Sequence, residues 1–138
     1  MTLEQIGDII AQRLADTDVA YFNPTGNYPT TTSRPPIFLK RFPAHAPHKA
    51  LSVIVYADEE SLNPADDVRI LHFQVKARAP YDADPLADQA KAALTAIQTH
   101  WGDLYVSSCI RTSFAQLGAD QDNVDMRSDN YQLITTRG

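Results

Sequence analysis

The stretch DDVRILHFQVKARAPYDADPLADQAKAALTAIQTHW, which spans residues 66–101, decides the fold class. In its first part the side chains alternate between a mainly apolar side and a mainly polar side. This alternation is the period of a β-strand with one buried face. The residues on the mainly apolar side are Arg69, Leu71, Phe73, Val75 and Ala77.

The second part of the same stretch changes to the period of a helix. Its apolar residues recur at helical spacing, at Leu86, Ala90, Leu94, Ile97 and Trp101. A stripe of this kind must lie against an apolar surface. We expect Asp84 to be the N-cap, Pro85 to lie in the first turn and Gly102 to end the helix. The stretch therefore predicts a long strand, a tight turn and a capped helix.

The segments before this unit predict one further helix and several strands. Thr2 and Gln5 have the spacing of a capping box, so we expect a helix over residues 3–15. Residues 19–22, 37–42 and 51–57 have the apolar and β-branched or aromatic content of strands. Residues 23–36 contain four prolines, which remove backbone donors, so we expect a long exposed loop there.

The segments after this unit predict two more strands. Residues 104–114 alternate, with Leu104, Val106, Ser108, Ile110, Thr112 and Phe114 on one face and Arg111 on the other. Residues 115–127 are polar and acidic, and we interpret them as a connection with Gly118 in a turn. We interpret Ser128, Asp129 and Asn130 as a local turn, and residues 131–135 as the last strand.

This order of elements predicts an α+β fold with a mainly antiparallel or mixed sheet of about four to six strands. Two main helices would pack on one face of the sheet. We treat residues 1–138 as a single domain with an exposed proline-rich loop. The uncovered sheet face and the sheet edges would need partners, which favours self-association.

Composition and charge exclude several classes of protein. Hydrophobic residues make up 43% of the 138-residue chain and charged residues 21%, which is typical of a folded domain. The formal net charge is -5, so sequence-specific nucleic-acid binding is disfavoured. Cys109 is the single cysteine, which rules out a disulfide within the chain. We find no membrane-spanning run and interpret residues 1–15 as an amphipathic helix and not as a signal peptide.

The side chains that could carry chemistry do not form a recognisable catalytic or metal-binding set. His45 and His48 lie in a proline-marked turn, where two solvated histidines are the favoured interpretation. Residues 120–125 resemble a calcium loop but have Asp125 where a glycine is required. Cys109 lies inside a strand, where we expect a small buried side chain rather than a nucleophile. We therefore predict neither an enzyme nor a cofactor-dependent protein.

The chain resembles the tail terminator proteins of long, non-contractile-tailed bacteriophages. The resemblance rests on three pieces: residues 78–94, which include ADQAKAAL, residues 117–123 with LGADQDN, and residues 127–131 with RSDNY. It implies a structural virion protein that catalyses nothing and needs no cofactor. Such proteins form a hexameric ring at the head-proximal end of the tail tube. The ring stops tube growth and joins the tail to the head-completion proteins.

The resemblance also implies partners and surfaces. The partners would be further copies of the chain, the tail tube protein and a head-completion or connector protein, with genomic DNA passing through the ring without specific binding. The expected location is the tail–neck region of the virion, after assembly in the host cytoplasm and without a membrane. The candidate partner-contact residues in the loop are Asn23, Tyr28 and Arg34. The candidate channel-facing acids are Asp58, Glu59, Glu60, Asp66 and Asp67.

Two other functions stay open at this point. Another head–tail connector protein would share the size, the acidity and the ring assembly. A small ligand-binding or enzymatic α+β domain would need a pocket with convergent polar groups, and the sequence offers no such set.

Overall fold

The computed structural model describes residues 1–29, 33–60 and 62–136 of the chain. Within these ranges, two helices and six strands follow one another as α1 (Leu3–Asp16), β1 (Ile37–Leu39), β2 (Ala50–Glu60), β3 (Val68–Pro80), α2 (Asp84–Leu94), β4 (Ala96–Trp101), β5 (Leu104–Ala119) and β6 (Val124–Thr136). The strands form one sheet in the order β1-β2-β3-β6-β5-β4. β1 and β2 are parallel, and the other neighbouring pairs are antiparallel. The predicted fold class, α+β with a mainly antiparallel sheet, is confirmed.

The centre of the sheet is the pair β3–β6, which stays in register from Val68 opposite Thr136 to Pro80 opposite Val124. Phe73 lies opposite Tyr131, and their rings stack with centroids 4.9 Å apart. Residues of both helices and all six strands join these two rings in one apolar cluster. Such a stacked aromatic pair adds about 0.5–1.5 kcal/mol to the stability gained from burial alone.

The alternation predicted for β3 is confirmed. Arg69, Leu71, Phe73, Val75 and Ala77 are all buried, and the side chains between them are partly exposed. The predicted first helix is also confirmed, one residue longer than expected. The hydroxyl of Thr2 accepts a hydrogen bond from the Gln5 amide at 3.1 Å, and the Gln5 side chain accepts one from the Thr2 amide at 2.7 Å.

The second helix is shorter than the sequence predicts. It ends at Leu94, and the following residues form β4, which pairs with β5. Ile97 was predicted to be part of the buried helical stripe, but its side chain is 74% exposed. The β-branched residues at 95, 97 and 99 favour an extended backbone, and pairing with β5 provides the hydrogen bonds that a longer helix would have provided. His100 therefore lies in a strand, not in a last helical turn.

The predicted cap and stop of that helix are also wrong, although Pro85 does lie in its first turn. Ala83 is the N-cap and makes no side-chain capping bond, while Asp84 is the first helical residue. The backbone amide of Ala83 instead donates to a carboxylate oxygen of Asp125 at 2.8 Å. Gly102, with φ of +58°, lies in the turn between β4 and β5.

Two of the early strand predictions require correction. Residues 19–22 form no strand, and Tyr21 makes only an isolated bridge to Pro36. Proline has no amide hydrogen, so Pro35 and Pro36 cannot continue a ladder. The strand predicted over residues 37–42 ends at Leu39, because Lys40 adopts φ of +72°.

The last two strands are much longer than predicted. Residues 115–119 extend β5, and residues 124–130 begin β6, so the local turn predicted at Ser128, Asp129 and Asn130 is wrong. The face predicted for residues 104–114 is also wrong beyond Val106, because Cys109 is buried and Ile110 is 50% exposed. Gly118, with φ of +78°, lies at a register shift within β5 and not in the turn.

We expect Phe73→Ala to lower the free energy of unfolding by about 3–5 kcal/mol, because the substitution removes one ring of the central stack and leaves a cavity. Urea denaturation followed by circular dichroism would measure the change. Tyr56→Ala is the matched control, because Tyr56 is 53% exposed and its truncation leaves no buried cavity. Equal stabilities of the two variants would contradict the central role of the stack.

Candidate functional site

The loop that contains the candidate contact residues is anchored to the body of the protein. The Asn23 side-chain oxygen accepts hydrogen bonds from the amide and hydroxyl of Thr25, at 3.1 and 2.9 Å. The Asn23 side-chain nitrogen donates to the carbonyl of Asn27 at 2.8 Å. Asn23 therefore organises the first turn of the loop.

Tyr28 and Arg34 attach the loop at two further points. The Tyr28 hydroxyl donates to the carbonyl of Ile37, and the ring packs edge-on against Phe38 with centroids 5.1 Å apart. Burial raises the pKa of the Tyr28 hydroxyl. Arg34 donates to the Ala15 carbonyl at 2.9 Å and pairs with Asp18 at 2.8 Å. Residues 30–32 of the predicted loop lie outside the described residues. That Asn23, Tyr28 and Arg34 contact a partner stays a prediction.

The five candidate channel acids lie at one end of the sheet. Asp58, Glu59 and Glu60 are the last residues of β2, opposite the beginning of β3. Asp66 and Asp67 lie just before β3, and a side-chain oxygen of Asp66 accepts a hydrogen bond from the Val68 amide. Asp58, Glu59 and Glu60 therefore belong to a strand and Asp66 and Asp67 to the connection that follows it, and the pairing of β2 with β3 keeps both groups at one end of the sheet.

Buried Arg69 holds part of this acidic group. Its guanidinium donates to both carboxylate oxygens of Asp58 at 2.9 and 2.8 Å, and to the carbonyl of Met1 at 2.9 Å. Glu60 lies 3.8 Å from the same guanidinium, and Glu59 lies 3.5 Å from His72. The hydrogen bond from Arg69 lowers the pKa of the Asp58 carboxyl. That these acids face a channel stays a prediction.

A buried ion cluster that the sequence analysis missed joins α2 to the sheet. The Arg127 guanidinium binds both oxygens of buried Asp129, at 2.8 and 2.9 Å. It also reaches Asp88 at 2.9 Å and Asp84 at 3.3 Å on α2. Although burial opposes the charged form, the hydrogen bonds that Arg127 donates to Asp129 and Asp88 raise its pKa overall. Arg111 lies 3.5 Å from Asp129 on the same side of the sheet.

The sequence did contain a signal for this cluster. Arg127, Asp129, Tyr131 and Leu133 alternate in the way that a strand with one buried face requires, and all four are buried. The polar residues at 128–130 suggested a turn because Ser, Asp and Asn often bond to nearby backbone. Arg127, two residues away, and Arg111 on β5 compensate the buried Asp129 carboxylate. The proximity of Arg111, and of the α2 carboxylates that bind Arg127, depends on the fold and cannot be read from the local sequence.

The charges are segregated along the sequence and across the sheet. Residues 19–57 contain Arg34, Lys40, Arg41 and Lys49 but no Asp or Glu, which gives a net charge of +4. Because the whole chain carries -5, the remaining residues carry -9. Lys40, Arg41 and Lys49 are exposed, and the sheet order places them on the β1 side, opposite β5. We call Lys40, Arg41 and Lys49 the basic side.

Beyond the end of β4, β5 pairs with β6 alone among the described strands and becomes an edge of the sheet. β4 covers the outer edge of β5 only as far as Cys109. From Ile110 to Ala119, no described strand pairs with that edge. Ile110, Phe114 and Leu117 are 50%, 50% and 52% exposed. We call this segment of β5, residues 110–119, the open arm.

The side chains considered for catalysis or metal binding do not converge. Within the described ranges, no group of three or more His, Cys, Asp and Glu side chains could hold a metal ion. Cys109 is buried, as predicted, and burial raises the pKa of its thiol to about 12. His45 lines a groove of about 560 Å³ beside Tyr28 and Lys49. Asp120 and Asn123 close the turn between β5 and β6, and Asp120 accepts bonds from the amides of Asp122 and Val124.

Residues 13–137 match the family described as bacteriophage tail terminator protein. The chain belongs to this tail terminator family. Membership supports a structural role in the phage tail, as the resemblance implied. None of the described helices of this family member is long and apolar enough to cross a membrane.

A solved structure supports the fold independently. The chain is similar to a chain of a structure titled "Virion of native gene transfer agent (GTA) particle", with a TM-score of 0.55 and 6% sequence identity. The similarity covers 72% of this tail-terminator-family chain and 78% of the other chain. At this identity the similarity concerns the fold alone. No curated protein matches the sequence.

We expect Arg127→Leu to lower the free energy of unfolding by about 3–5 kcal/mol, because the substitution leaves the buried Asp129 carboxylate without its main partner. Urea denaturation at neutral pH would measure the loss. The double variant Arg127→Leu/Asp129→Leu should be more stable than Arg127→Leu, because no buried charge is left unpaired. Lys91→Leu is the surface control. A single variant as stable as the wild type would contradict the structural role of the cluster.

Proposed function

We propose that this protein forms a ring that caps the head-proximal end of a phage tail tube. The resemblance to tail terminator proteins implies six copies in the ring. In this position the ring stops tube growth and presents a surface to the head-completion proteins. The family match over residues 13–137 carries the proposal. The two edges of the sheet, at β1 and at β4, differ from each other. This difference supports a ring, because contacts between unlike surfaces generate rings when the rotation closes.

Removal of the gene from its phage tests the proposed function directly. Tails longer than those of the parent are expected, because nothing would stop the addition of tube subunits. Electron microscopy of lysates would measure the length distribution, and supply of the protein from a plasmid is the control. Tail-less, DNA-filled heads would instead indicate a connector, which is the alternative function. Normal tails on intact heads would contradict both.

We also propose that the acidic end of the sheet faces the channel through which DNA passes. Carboxylates there would repel the phosphates and keep DNA from adhering to the wall. The acids suited to a test are Glu59, Glu60, Asp66 and Asp67. Asp58 is left unchanged because it binds buried Arg69.

We expect a phage with Glu59→Gln, Glu60→Gln, Asp66→Asn and Asp67→Asn to eject its genome more slowly than the parent. Release of DNA from purified virions, followed with a fluorescent dye, would measure the rate. The control carries Glu4→Gln and Asp103→Asn, which remove exposed charges elsewhere. Unchanged ejection and full infectivity in the fourfold variant would refute the channel position of these acids.

A further inference from the structure

The open arm leaves one edge of β5 without a strand partner among the described residues. A strand that is paired on only one side presents unsatisfied backbone donors and acceptors along its other edge. Here that edge is ten residues long, from Ile110 to Ala119, and it carries three large apolar side chains that are half exposed. Proteins normally cover such an edge or keep it short. Its length and apolar content indicate a surface that another strand completes.

Two register shifts restrict which strand can pair with the open arm. They lie between Arg111 and Ser113 and between Gln116 and Gly118, both inside the arm. Irregularities of this kind bend an edge strand and discourage indiscriminate edge-to-edge pairing. The arm is therefore suited to a partner of matching shape rather than to any extended peptide.

The opposite side of the sheet has a complementary opening. β1 pairs with β2 only at Leu51, Ser52 and Val53. The registers of β2, β3, β6 and β5 place the start of the arm level with residues 54–57, where the outer edge of β2 has no strand partner among the described residues. β2 runs antiparallel to β3, β3 to β6 and β6 to β5, so β5 runs in the direction opposite to β2. Rotation about an axis along the strands preserves these directions, so β5 of one copy would meet β2 of the next copy as an antiparallel neighbour.

The charges of the two sides are also complementary. Three carboxylates near the arm, those of Asp84, Asp88 and Asp129, outnumber the guanidiniums of Arg111 and Arg127. The turn at the end of the arm adds Asp120 and Asp122. The basic side carries three exposed cations, for which no ion pair is found within the described ranges. Opposite charges on the two sides of one chain favour contact between unlike sides of successive copies.

We propose that the open arm of one copy docks on the basic side of a second copy, with residues 110–113 of the arm against the outer edge of β2 at residues 54–57. The contact is head-to-tail, so a pair still has a free arm on one outer side and a free basic side on the other, and a ring can close. The inference rests on the proposed function and deepens it by naming the surfaces that join the subunits. The occupant of the arm is thus another copy of this chain.

Two variants with altered surface charge test the contact. The arm variant carries Ala115→Lys and Leu117→Lys, and the basic-side variant carries Lys40→Glu and Lys49→Glu. All four positions are exposed, so folding should be retained, and circular dichroism checks this. Lys91→Glu, an exposed reversal on α2, is the matched control. Sedimentation velocity and native mass spectrometry over a concentration series report the assembly.

We expect the wild type and the control to self-associate and each variant alone to do so at least about tenfold more weakly, because like charges then face each other. An equimolar mixture should regain assembly, because the lysines of one variant meet the glutamates of the other. A basic-side variant that assembles normally would indicate an arm-to-arm contact and overturn the proposal. A mixture that stays monomeric, or a monomeric wild type at every concentration, would also overturn it.

Failure here is distinguishable from failure of the proposed function. Tail length in the deletion phage does not depend on which surfaces join the subunits. Overlong tails together with an arm-independent assembly would leave the terminator function intact and remove only this inference. Normal tails would remove the function whatever the variants do.

Discussion

The pairing of β3 with β6 is the constraint on which the rest of the structure depends. The two strands stay in register without interruption from Val68–Thr136 to Pro80–Val124, and this fixes where their side chains stand. The register places Phe73 on Tyr131 in the core, and it gives β6 the position from which Arg127 reaches α2. A slip of one residue would turn every one of these side chains to the other face. The positions of the core, the ion cluster and the arm thus all follow from the register of β3 with β6.

The sequence predicted elements whose patterns are local. The alternation around Phe73 and the capping box at Thr2 and Gln5 specify their structures through neighbours close in the chain, and both are confirmed. The segment after Leu94 is different, because its spacing fits a helix while its β-branched residues fit a strand. Pairing with β5 decides between them. That contact forms only once the chain turns back at Gly102, so the short helix and β4 were missed.

The candidate surfaces were predictable to a smaller degree. The acids at 58–67 were found from composition, but their attachment to Arg69 depends on the register of β2 with β3. Asp129 was assigned to a turn because Ser, Asp and Asn often bond to nearby backbone, and its partner Arg111 on β5 is distant in the sequence. The open arm could not be predicted, because an unpaired edge is a property of the whole sheet. The lack of acidic residues between residues 19 and 57 is visible in the sequence, but no surface was predicted from it.

The separation of charge between residues 19–57 and the rest of the chain also affects how the molecule orients in an electric field, such as that of a neighbouring charged molecule. Residues 19–57 carry +4 and the rest of the chain -9, and in the proposed assembly this separation would orient approaching copies before they touch. The torque acts over about 8 Å at physiological salt and farther in dilute buffer. In the proposed assembly, productive encounters would become more frequent while the strength of the final contact stayed the same. Salt would therefore control how quickly copies find one another, even where the assembled state is held by backbone pairing.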